Sequence, residues 1–310
     1  MIGRVRSGYG TILMRRRALF SVVGVLIVII IVFVTIFMLI TYKNASIGGD
    51  SSVALKSWNA GNYDDVYVIA KKNAVQSPLS SFWLVMHGMA SYQIAVAQIN
   101  QGDTLKYIDE SITAIRKALI IGAGSMDSKA RYVLGKAYYR KGPQYADQAV
   151  EYLEQAINAK FSASDIYEHL GLAYASIKEY RASVIAFSKA LGENPSDLLL
   201  LAIARSYSEL GENDQAKAYL LRCAETSKDV SVAAQARLLL GFSYKKLGMN
   251  GEAEKEYLAV LDQDGRNADA YYALGDLYAE SGDAVKARAE WRKALRIDPT
   301  HGPSRSRLGM

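Results

Sequence analysis

The chain has 310 residues; half are hydrophobic, 21 are Tyr and only five are Pro. The low Pro content and the frequent Ala favour helix over sheet, and the length allows one or two domains with a sizeable core. The formal net charge of +6 would suggest nucleic-acid binding, but five Arg within the first 17 residues supply most of it and leave about +1 elsewhere. A short basic tail is more typical of a membrane orientation signal than of a nucleic-acid arm.

An uncharged, strongly apolar run extends from Ala18 to Tyr42, directly after this basic tail. A helix of that length would be about 37 Å long, which exceeds the roughly 30 Å hydrocarbon core of a bilayer. The run therefore predicts a single transmembrane helix at 18–42 after a basic tail at 1–17. A cleaved signal peptide is the alternative, but its apolar region would be shorter, and Asn44-Ala45-Ser46 is a poor cleavage site.

The charges on either side of this run predict its orientation. Five Arg precede it, whereas only Lys43 and Lys56 follow closely, and positive residues are retained on the cytoplasmic side. We expect a single-pass membrane protein with a cytoplasmic N-terminus and an exported remainder, which would be periplasmic in a bacterium. The reverse topology, with the remainder in the cytoplasm, is the alternative.

The rest of the chain is dominated by an internal repeat. Five segments share a large aliphatic residue, a tiny residue directly after it, and an aromatic residue three positions later. They begin at Leu134, Leu170, Ile203, Leu240 and Leu274. Their tiny residues are spaced 36, 33, 37 and 34 positions apart, a period that is typical of arrays in which each unit is a helical hairpin.

Each unit continues with a small residue, a bulky residue four positions later, and then a small–aliphatic pair. The small and bulky residues are Ala149 and Leu153, Ser183 and Phe187, Ala216 and Leu220, Ala253 and Tyr257, and Ala287 and Trp291. Small residues let two helices approach closely, and bulky residues fill the adjacent holes. Glycines fall between the two halves, where a hairpin turn needs a left-handed backbone. They are Gly142, Gly211, Gly248 and Gly282.

These patterns closely resemble the tetratricopeptide-repeat family over residues 128–301. The resemblance implies an all-α fold, an α-solenoid of stacked helical hairpins, which here would follow the N-terminal transmembrane helix. We expect two degenerate repeats and a linker at 43–127, five repeats at 128–301 and a short basic tail at 302–310. In the second degenerate repeat the connection between helices is expected late, at Asn100 to Thr104.

No catalytic pattern is present in the sequence. There is no phosphate-binding Gly-Lys-Ser/Thr loop and no Gly-x-Ser-x-Gly elbow. His87, His169 and His301 lack the spacing of metal ligands and are expected to be structural. The only cysteine, Cys223, occupies a small-residue position, where a buried and unreactive thiol is expected. We therefore expect no enzymatic activity, cofactor, metal, small-molecule substrate or nucleic-acid partner.

The resemblance also implies where partner proteins bind. In this family the first helix of each repeat lines a concave groove, through the second, fifth, ninth, twelfth and thirteenth positions of the repeat. With the tiny residue counted as the eighth, the candidate groove residues are Lys129, Tyr132, Lys136, Tyr139, Arg140, Glu168, Arg205, Phe242, Lys245, Tyr272 and Asp276. Leu172, Leu198 and Leu201 occupy such positions too, although packing between repeats is an equal alternative for the last two.

A basic face on the last second helix is a further candidate. Arg288, Arg292 and Arg296 are spaced four apart, with Lys293 beside them. The face is either a solvated surface or a docking face for an acidic partner.

The sequence thus predicts a membrane-anchored scaffold or adaptor that binds other proteins. The expected setting is the assembly of a cell-envelope complex, such as a flagellar motor, a secretion or pilus system, or cell-wall machinery. The alternative is a periplasmic chaperone or regulator that binds extended peptides.

Overall fold

A computed structural model describes residues 30–36 and 50–310, and within these ranges the chain forms helices and turns but no strand. The predicted basic tail and most of the predicted transmembrane helix lie outside the described residues; the described part, 30–36, is helical and exposed. No helix within the described ranges is long and apolar enough to cross a membrane.

From residue 50 onward the chain forms helical hairpins that stack in sequence order. The paired helices are α1 (50–59) and α2 (Tyr63–Gln76), α3 (Ser81–Ala97) and α4 (Gln101–Ile121), α5 (Asp127–Lys141) and α6 (Ala146–Asn158), α7 (Ile166–Ser176) and α8 (Tyr180–Glu193), α9 (Asp197–Glu209) and α10 (Asn213–Thr226), α11 (Val230–Lys246) and α12 (Asn250–Gln263), and α13 (Ala268–Glu280) and α14 (Ala284–Ile297). From α2 onward each helix contacts the next. The described array is therefore an α-solenoid, as the repeat pattern predicts.

Each hairpin closes where a tiny residue of its first helix meets a bulky residue of its second. A Cβ atom added to Gly171 would lie 2.5 Å from the ring of Phe187, and one added to Gly275 would lie 2.5 Å from the ring of Trp291. Both rings are buried, with 2% and 7% of their surface exposed. The predicted packing of small against bulky residues is confirmed, because these helices approach too closely for any larger side chain.

The first two hairpins, where the repeat pattern is weak, pack by the same rule. Gly88 of α3 lies against Ile115 of α4, and Trp83 is fully buried. The predicted connection at Asn100 to Thr104 is wrong, because α4 already begins at Gln101. Asn100 accepts a hydrogen bond from the Gly102 amide at 2.7 Å, which is the usual action of an N-cap residue.

The turns within the hairpins need a left-handed residue. Gly211, Gly248 and Gly282 have φ values of 75°, 76° and 85°, which glycine adopts without steric cost. Between α7 and α8 the corresponding residue is Lys178, with φ of 64°. A side chain at such a backbone angle costs about 1–2 kcal/mol. The turn within this hairpin therefore carries local strain that the glycine turns lack.

Replacing Lys178 with glycine is expected to stabilise the array. The relief of strain exceeds the extra chain entropy of glycine in the unfolded state, so the free energy of unfolding should rise by about 0.5–1 kcal/mol. Urea unfolding followed by circular dichroism would measure the change. The reciprocal variant, Gly211→Lys, should lower stability by a similar amount. If both variants shift stability in the same direction, backbone strain is not the cause.

The predicted C-terminal basic tail, residues 302–310, contains a short helix, α15 (Gly302–Leu308), with a proline in its first turn. His301 caps this helix and also bonds Asp269 of α13, with 3.0 Å between Nε2 and Oδ1. Arg307 donates a hydrogen bond to Asp276 at 2.9 Å. The segment thus packs back onto α13 instead of extending as a tail, because the cap and the ion pair hold it there.

Candidate protein-binding site

The first helices of the hairpins form the inner side of the solenoid. Apart from their hairpin partners, α3 contacts α5, α5 contacts α7, α9 contacts α11, and α11 contacts α13. The backbones of α7 and α9 make less contact than any of these pairs. The inner face is therefore tightly joined on both sides of a wider gap between α7 and α9.

A polar cluster joins α5 to the start of α7. The hydroxyl of Tyr132 and the ammonium of Lys136 both donate to the carboxylate of Asp165, the latter at 2.6 Å. The Nδ1 atom of His169 lies 3.0 Å from the backbone oxygen of Asp165. We call these four residues the Asp165 cluster. In this cluster the polar groups of two predicted groove residues, Tyr132 and Lys136, are hydrogen-bonded within the molecule.

Burial and charge shift the pKa values in the Asp165 cluster in different directions. Burial raises the pKa of the Tyr132 hydroxyl, and the bond to Asp165 raises it further. Burial alone would raise the pKa of Asp165, but the hydrogen bonds from Lys136 and Tyr132 outweigh it, so that the pKa lies below its ordinary value. Burial lowers the pKa of His169, assisted by the charge of Lys136. At neutral pH the cluster thus favours an anionic Asp165 and a neutral His169.

The two partly buried histidines, His87 and His169, predict a loss of stability in mild acid. Burial also lowers the pKa of His87, so the folded chain binds fewer protons than the unfolded chain near pH 6. The stability that this supplies is complete above about pH 6.5, the unfolded pKa, and falls as pH decreases toward the folded pKa values. The melting temperature should therefore fall between pH 7.5 and pH 5.5. A His87→Gln, His169→Gln variant should show a flatter profile; an unchanged slope would contradict the assignment.

A cleft of about 390 Å³ lies between α7 and α9 on the inner face. Its walls come from four helices, α7, α8, α9 and α11. The lining residues are Glu168, Leu172 and Ala175 from α7, Tyr180 and Phe187 from α8, Leu198, Leu199, Leu201, Ala202, Arg205, Ser206 and Glu209 from α9, and Gln235 from α11. The lining is mostly apolar, with charged groups at a few points. The structure thus brings together two predicted groove residues, Glu168 and Arg205, with the three predicted leucines.

The two leucines with ambiguous roles differ in exposure. Leu201 is buried, with 3% of its surface exposed, whereas Leu198 is 62% exposed. Leu201 therefore packs between repeats, and Leu198 presents an apolar side chain at the cleft. Arg205 donates a hydrogen bond to Gln235 of α11, with 3.2 Å between Nη2 and Oε1.

Other predicted groove residues lie along the inner face outside the cleft. Phe242 is 41% exposed and has the ammonium of Lys246 above its ring at 5.3 Å. Lys245 is paired with Glu280 at 2.9 Å. Lys129 lies over the ring of Trp58 at 5.3 Å. Phe242 is therefore accessible to a partner, whereas the ammonium groups of Lys245 and Lys246 already contact other side chains.

Near the Asp165 cluster, two more predicted groove residues differ in exposure. Tyr139 is half-buried against His169, with 6.3 Å between the ring centroids, and Arg140 is exposed. Arg140 is thus the more exposed of these two residues, although its side chain also bonds the hydroxyl of Tyr92.

The predicted basic face lies on the outer side of α14. Arg288, Arg292 and Arg296 are exposed, and Lys293 is paired with Glu290 at 2.7 Å. Arg292, Lys293 and Arg296 line one shallow groove, together with Leu295, Leu308 and Met310. The structure thus brings three of the four predicted basic residues together.

Cys223 and His301 are the remaining titratable residues that the sequence analysis considered, and both contribute to the fold. Cys223 is fully buried, and burial raises the pKa of its thiol to about 11, which makes the nucleophilic thiolate scarce. His301 caps α15. No group of three or more His, Cys, Asp or Glu side chains within the described residues could hold a metal ion.

Family models described as tetratricopeptide repeat match residues 164–197, 199–229, 234–267 and 268–301. The chain contains tetratricopeptide repeats. The matched residues cover most of the hairpins from α7 to α14 and every residue that lines the cleft except Leu198. Because tetratricopeptide repeats form a protein-binding fold, their presence suggests that this chain interacts with other proteins.

Curated relatives share parts of the repeat array. The anaphase-promoting complex subunit CDC16 of Saccharomyces cerevisiae is 27% identical over 144 residues, which is 45% of this chain and 17% of that protein. The cellulose synthase operon protein C of Escherichia coli is 28% identical over 118 residues, which is 38% of this chain and 10% of that protein. The chain thus spans less than a fifth of the length of either relative.

A solved structure shares the fold. The C-terminal part of a tetratricopeptide-repeat protein from Cytophaga hutchinsonii is similar, with a TM-score of 0.60 and 17% identity, over 84% of this chain and 99% of that one. At this identity the likeness shows the fold alone.

Two predicted groove residues in the last repeat contact the C-terminal segment. Asp276 is buried and paired with Arg307 of α15, and the ring of the partly buried Tyr272 lies 5.5 Å from that of His301. Their place in a partner-binding groove stays a prediction, and α15 with its cap covers part of this surface. Repeat position identifies the face of a helix but not what covers that face.

Sequence reasoning missed three residues of the inner face. Asp165 is the centre of its cluster, and Glu209 and Gln235 line the cleft. All three occupy positions that the repeat counting assigns to the groove: the second position for Asp165 and Gln235, and the thirteenth for Glu209. The signal was therefore present, and applying the counting to every repeat would have found them.

Proposed function

We propose that this protein is a non-enzymatic, membrane-anchored scaffold that binds other proteins through the inner face of its repeats. The observation that carries the proposal is the cleft between α7 and α9, whose lining is mostly apolar and which presents the exposed Leu198. An exposed apolar side chain at a concave site is a typical anchor point for a partner. The named relative that is a subunit of the anaphase-promoting complex supports a place in a multiprotein assembly.

The proposed setting is the assembly of a cell-envelope complex, such as a flagellar motor, a secretion or pilus system, or cell-wall machinery. Two sequence features support it: the uncharged run from Ala18 to Tyr42, and the five Arg that precede it. Together they favour a cytoplasmic N-terminus and exported repeats, periplasmic in a bacterium.

A reporter fused after Met310 tests this topology. We expect alkaline phosphatase, which needs export, to be active there, and a fluorescent protein that folds only in the cytoplasm to be dark. Replacing all five N-terminal Arg with Ser should weaken the difference, because they supply the orientation signal. The opposite pattern of activities would place the repeats in the cytoplasm. Release of the chain from membranes by carbonate would argue against the anchor.

Crosslinking in intact cells tests the scaffold. The tagged chain would be compared with a Leu198→Asp variant and with a matched Ile185→Asp variant, since Ile185 is 57% exposed but lies on α8, away from the cleft. We expect a small, fixed set of crosslinked proteins that is lost in Leu198→Asp and kept in Ile185→Asp. Equal loss in both variants would mean that the cleft is not the binding site.

The second candidate is a periplasmic chaperone or regulator that binds extended peptides. The apolar cleft favours it too, because such a surface accepts many sequences. In the same experiment a chaperone would yield a diffuse population of exported proteins, instead of a fixed set.

A further inference from the structure

The charges around the cleft are arranged in a way that selects among partners. Glu168 lies in the first turn of α7, and Glu209 is the last residue of α9. Within the described residues neither carboxylate belongs to an ion pair. Both line the cleft. The hydroxyl of Tyr180 donates a hydrogen bond to Glu209, but no cation of the described residues pairs with either carboxylate, so each can pair with a cation of a bound partner.

The repeat positions of the two carboxylates separate them along the helix axes. Glu168 occupies the fifth position of its repeat and Glu209 the thirteenth position of the next. Because first helices of neighbouring repeats run in the same direction, eight positions correspond to roughly 12 Å along the helix axes. An extended chain rises about 3.3 Å per residue, so four residues cover that distance.

The region between the carboxylates is apolar and carries one cation. Leu172, Leu198 and Ala202 line the cleft, and so does Arg205, whose guanidinium bonds Gln235 of α11. A basic residue at the centre of a bound segment would meet Arg205 and be repelled. An apolar residue at the centre would bury its surface against the leucines.

We infer that the cleft binds an extended segment with the pattern basic–x–apolar–x–basic, in which Glu168 and Glu209 pair with the two basic residues. Side chains two and four residues apart lie on the same face of an extended chain, so all three recognition residues face the cleft at once. This inference rests on the proposed function, because it names the chemistry of the partner at the same site.

A display library of peptides, with a central Leu and random flanking residues, tests the pattern against the full-length chain in nanodiscs. We expect Lys and Arg to be enriched two residues before and two residues after the Leu. Each should be favoured about threefold over Ser, as is ordinary for an exposed ion pair. At the positions directly beside the Leu we expect no such preference. A Glu168→Gln, Glu209→Gln variant should lose the basic preference at both flanks.

Controls separate the inference from the proposed function. A variant with two exposed carboxylates outside the cleft neutralised, Glu225→Gln and Glu252→Gln, should keep the preference for basic flanks. Enrichment that depends on Leu198 but shows acidic or uncharged flanks would overturn the inference and keep the cleft as the binding site. Enrichment that is unaffected by Leu198→Asp would overturn both. A library in which basic residues are enriched regardless of spacing would also contradict the extended pattern.

Discussion

Replacing Gly171 with Ala is expected to lower the free energy of unfolding by about 2 kcal/mol, within the usual range for an overpacked core. The added Cβ would lie 2.5 Å from the ring of Phe187, which is 2% exposed and must shift to accept it. The gain of about 1 kcal/mol in helix propensity does not offset this clash. Urea unfolding would measure the change, with the slope compared between variants because a repeat array can unfold in parts.

A second glycine in the same hairpin provides the matched control. Gly192 lies in α8, and a Cβ added there would meet nothing within 4 Å. Gly192→Ala should therefore raise stability by up to about 1 kcal/mol through helix propensity alone. Stability changes of the same sign in Gly171→Ala and Gly192→Ala would contradict the packing explanation.

A smaller partner should relieve the clash. Phe187→Leu alone leaves a cavity and costs stability, but in the Gly171→Ala background it makes room for the new methyl group. The double variant should thus be more stable than the sum of the single effects implies, by about 1 kcal/mol. Strict additivity would mean that these two residues do not limit the approach of α7 and α8.

The hairpins could be predicted from the sequence because their packing leaves few choices. A glycine such as Gly171 and a ring such as Phe187 are complementary only when two helices are antiparallel and in register. The spacing of such pairs along the chain therefore predicts both the helices and their order. The same argument applies to Gly275 and Trp291. Turn geometry was predictable at Gly211 for a similar reason, since only glycine adopts its backbone angle without strain.

The surface chemistry of the inner face could not be predicted in the same way. Repeat position placed Tyr132 and Lys136 on the inner face, but it did not show that Asp165 would bind both. Nor did it show that Arg307 of α15 would form an ion pair with Asp276. These contacts depend on which polar group of a neighbouring helix is nearest, and a periodic pattern contains no information on that distance. The candidate site thus needed the structure, whereas the fold largely did not.

Replacing Asp165 with Ala is expected to cost about 2 kcal/mol of stability, because it leaves a tyrosine hydroxyl and an ammonium group partly buried without their acceptor. The side chain of Lys136 is only 14% exposed. Asp165 makes no side-chain cap bond to α7, so the loss measures the cluster and not a helix cap. Thermal and urea unfolding would report it.

The control is an ion pair of similar geometry but without a role between repeats. Asp127 pairs with Arg131 on α5 at 2.6 Å, four residues away on the same helix. Asp127→Ala should cost no more than about 0.5 kcal/mol, as for other exposed pairs at this spacing. An equal loss in the two variants would mean that the Asp165 cluster contributes no more than a surface ion pair.

The pH dependence of stability distinguishes loss of the Asp165 charge from loss of its packing contacts. Because the pKa of Asp165 lies below its ordinary value, its charge stabilises the fold above about pH 4, the unfolded pKa, and this contribution is lost as pH falls through the folded pKa. The stability difference between the wild type and Asp165→Ala should therefore shrink between pH 5 and pH 3. A difference that is constant over this range would show that lost contacts, and not the charge, account for the effect.

A double variant, Asp165→Leu with Lys136→Met, should recover part of the loss of stability caused by Asp165→Ala, because an apolar pair needs no acceptor. The junction of α5 and α7 would then hold by packing alone, which separates its stability from the polar surface that it presents to partners.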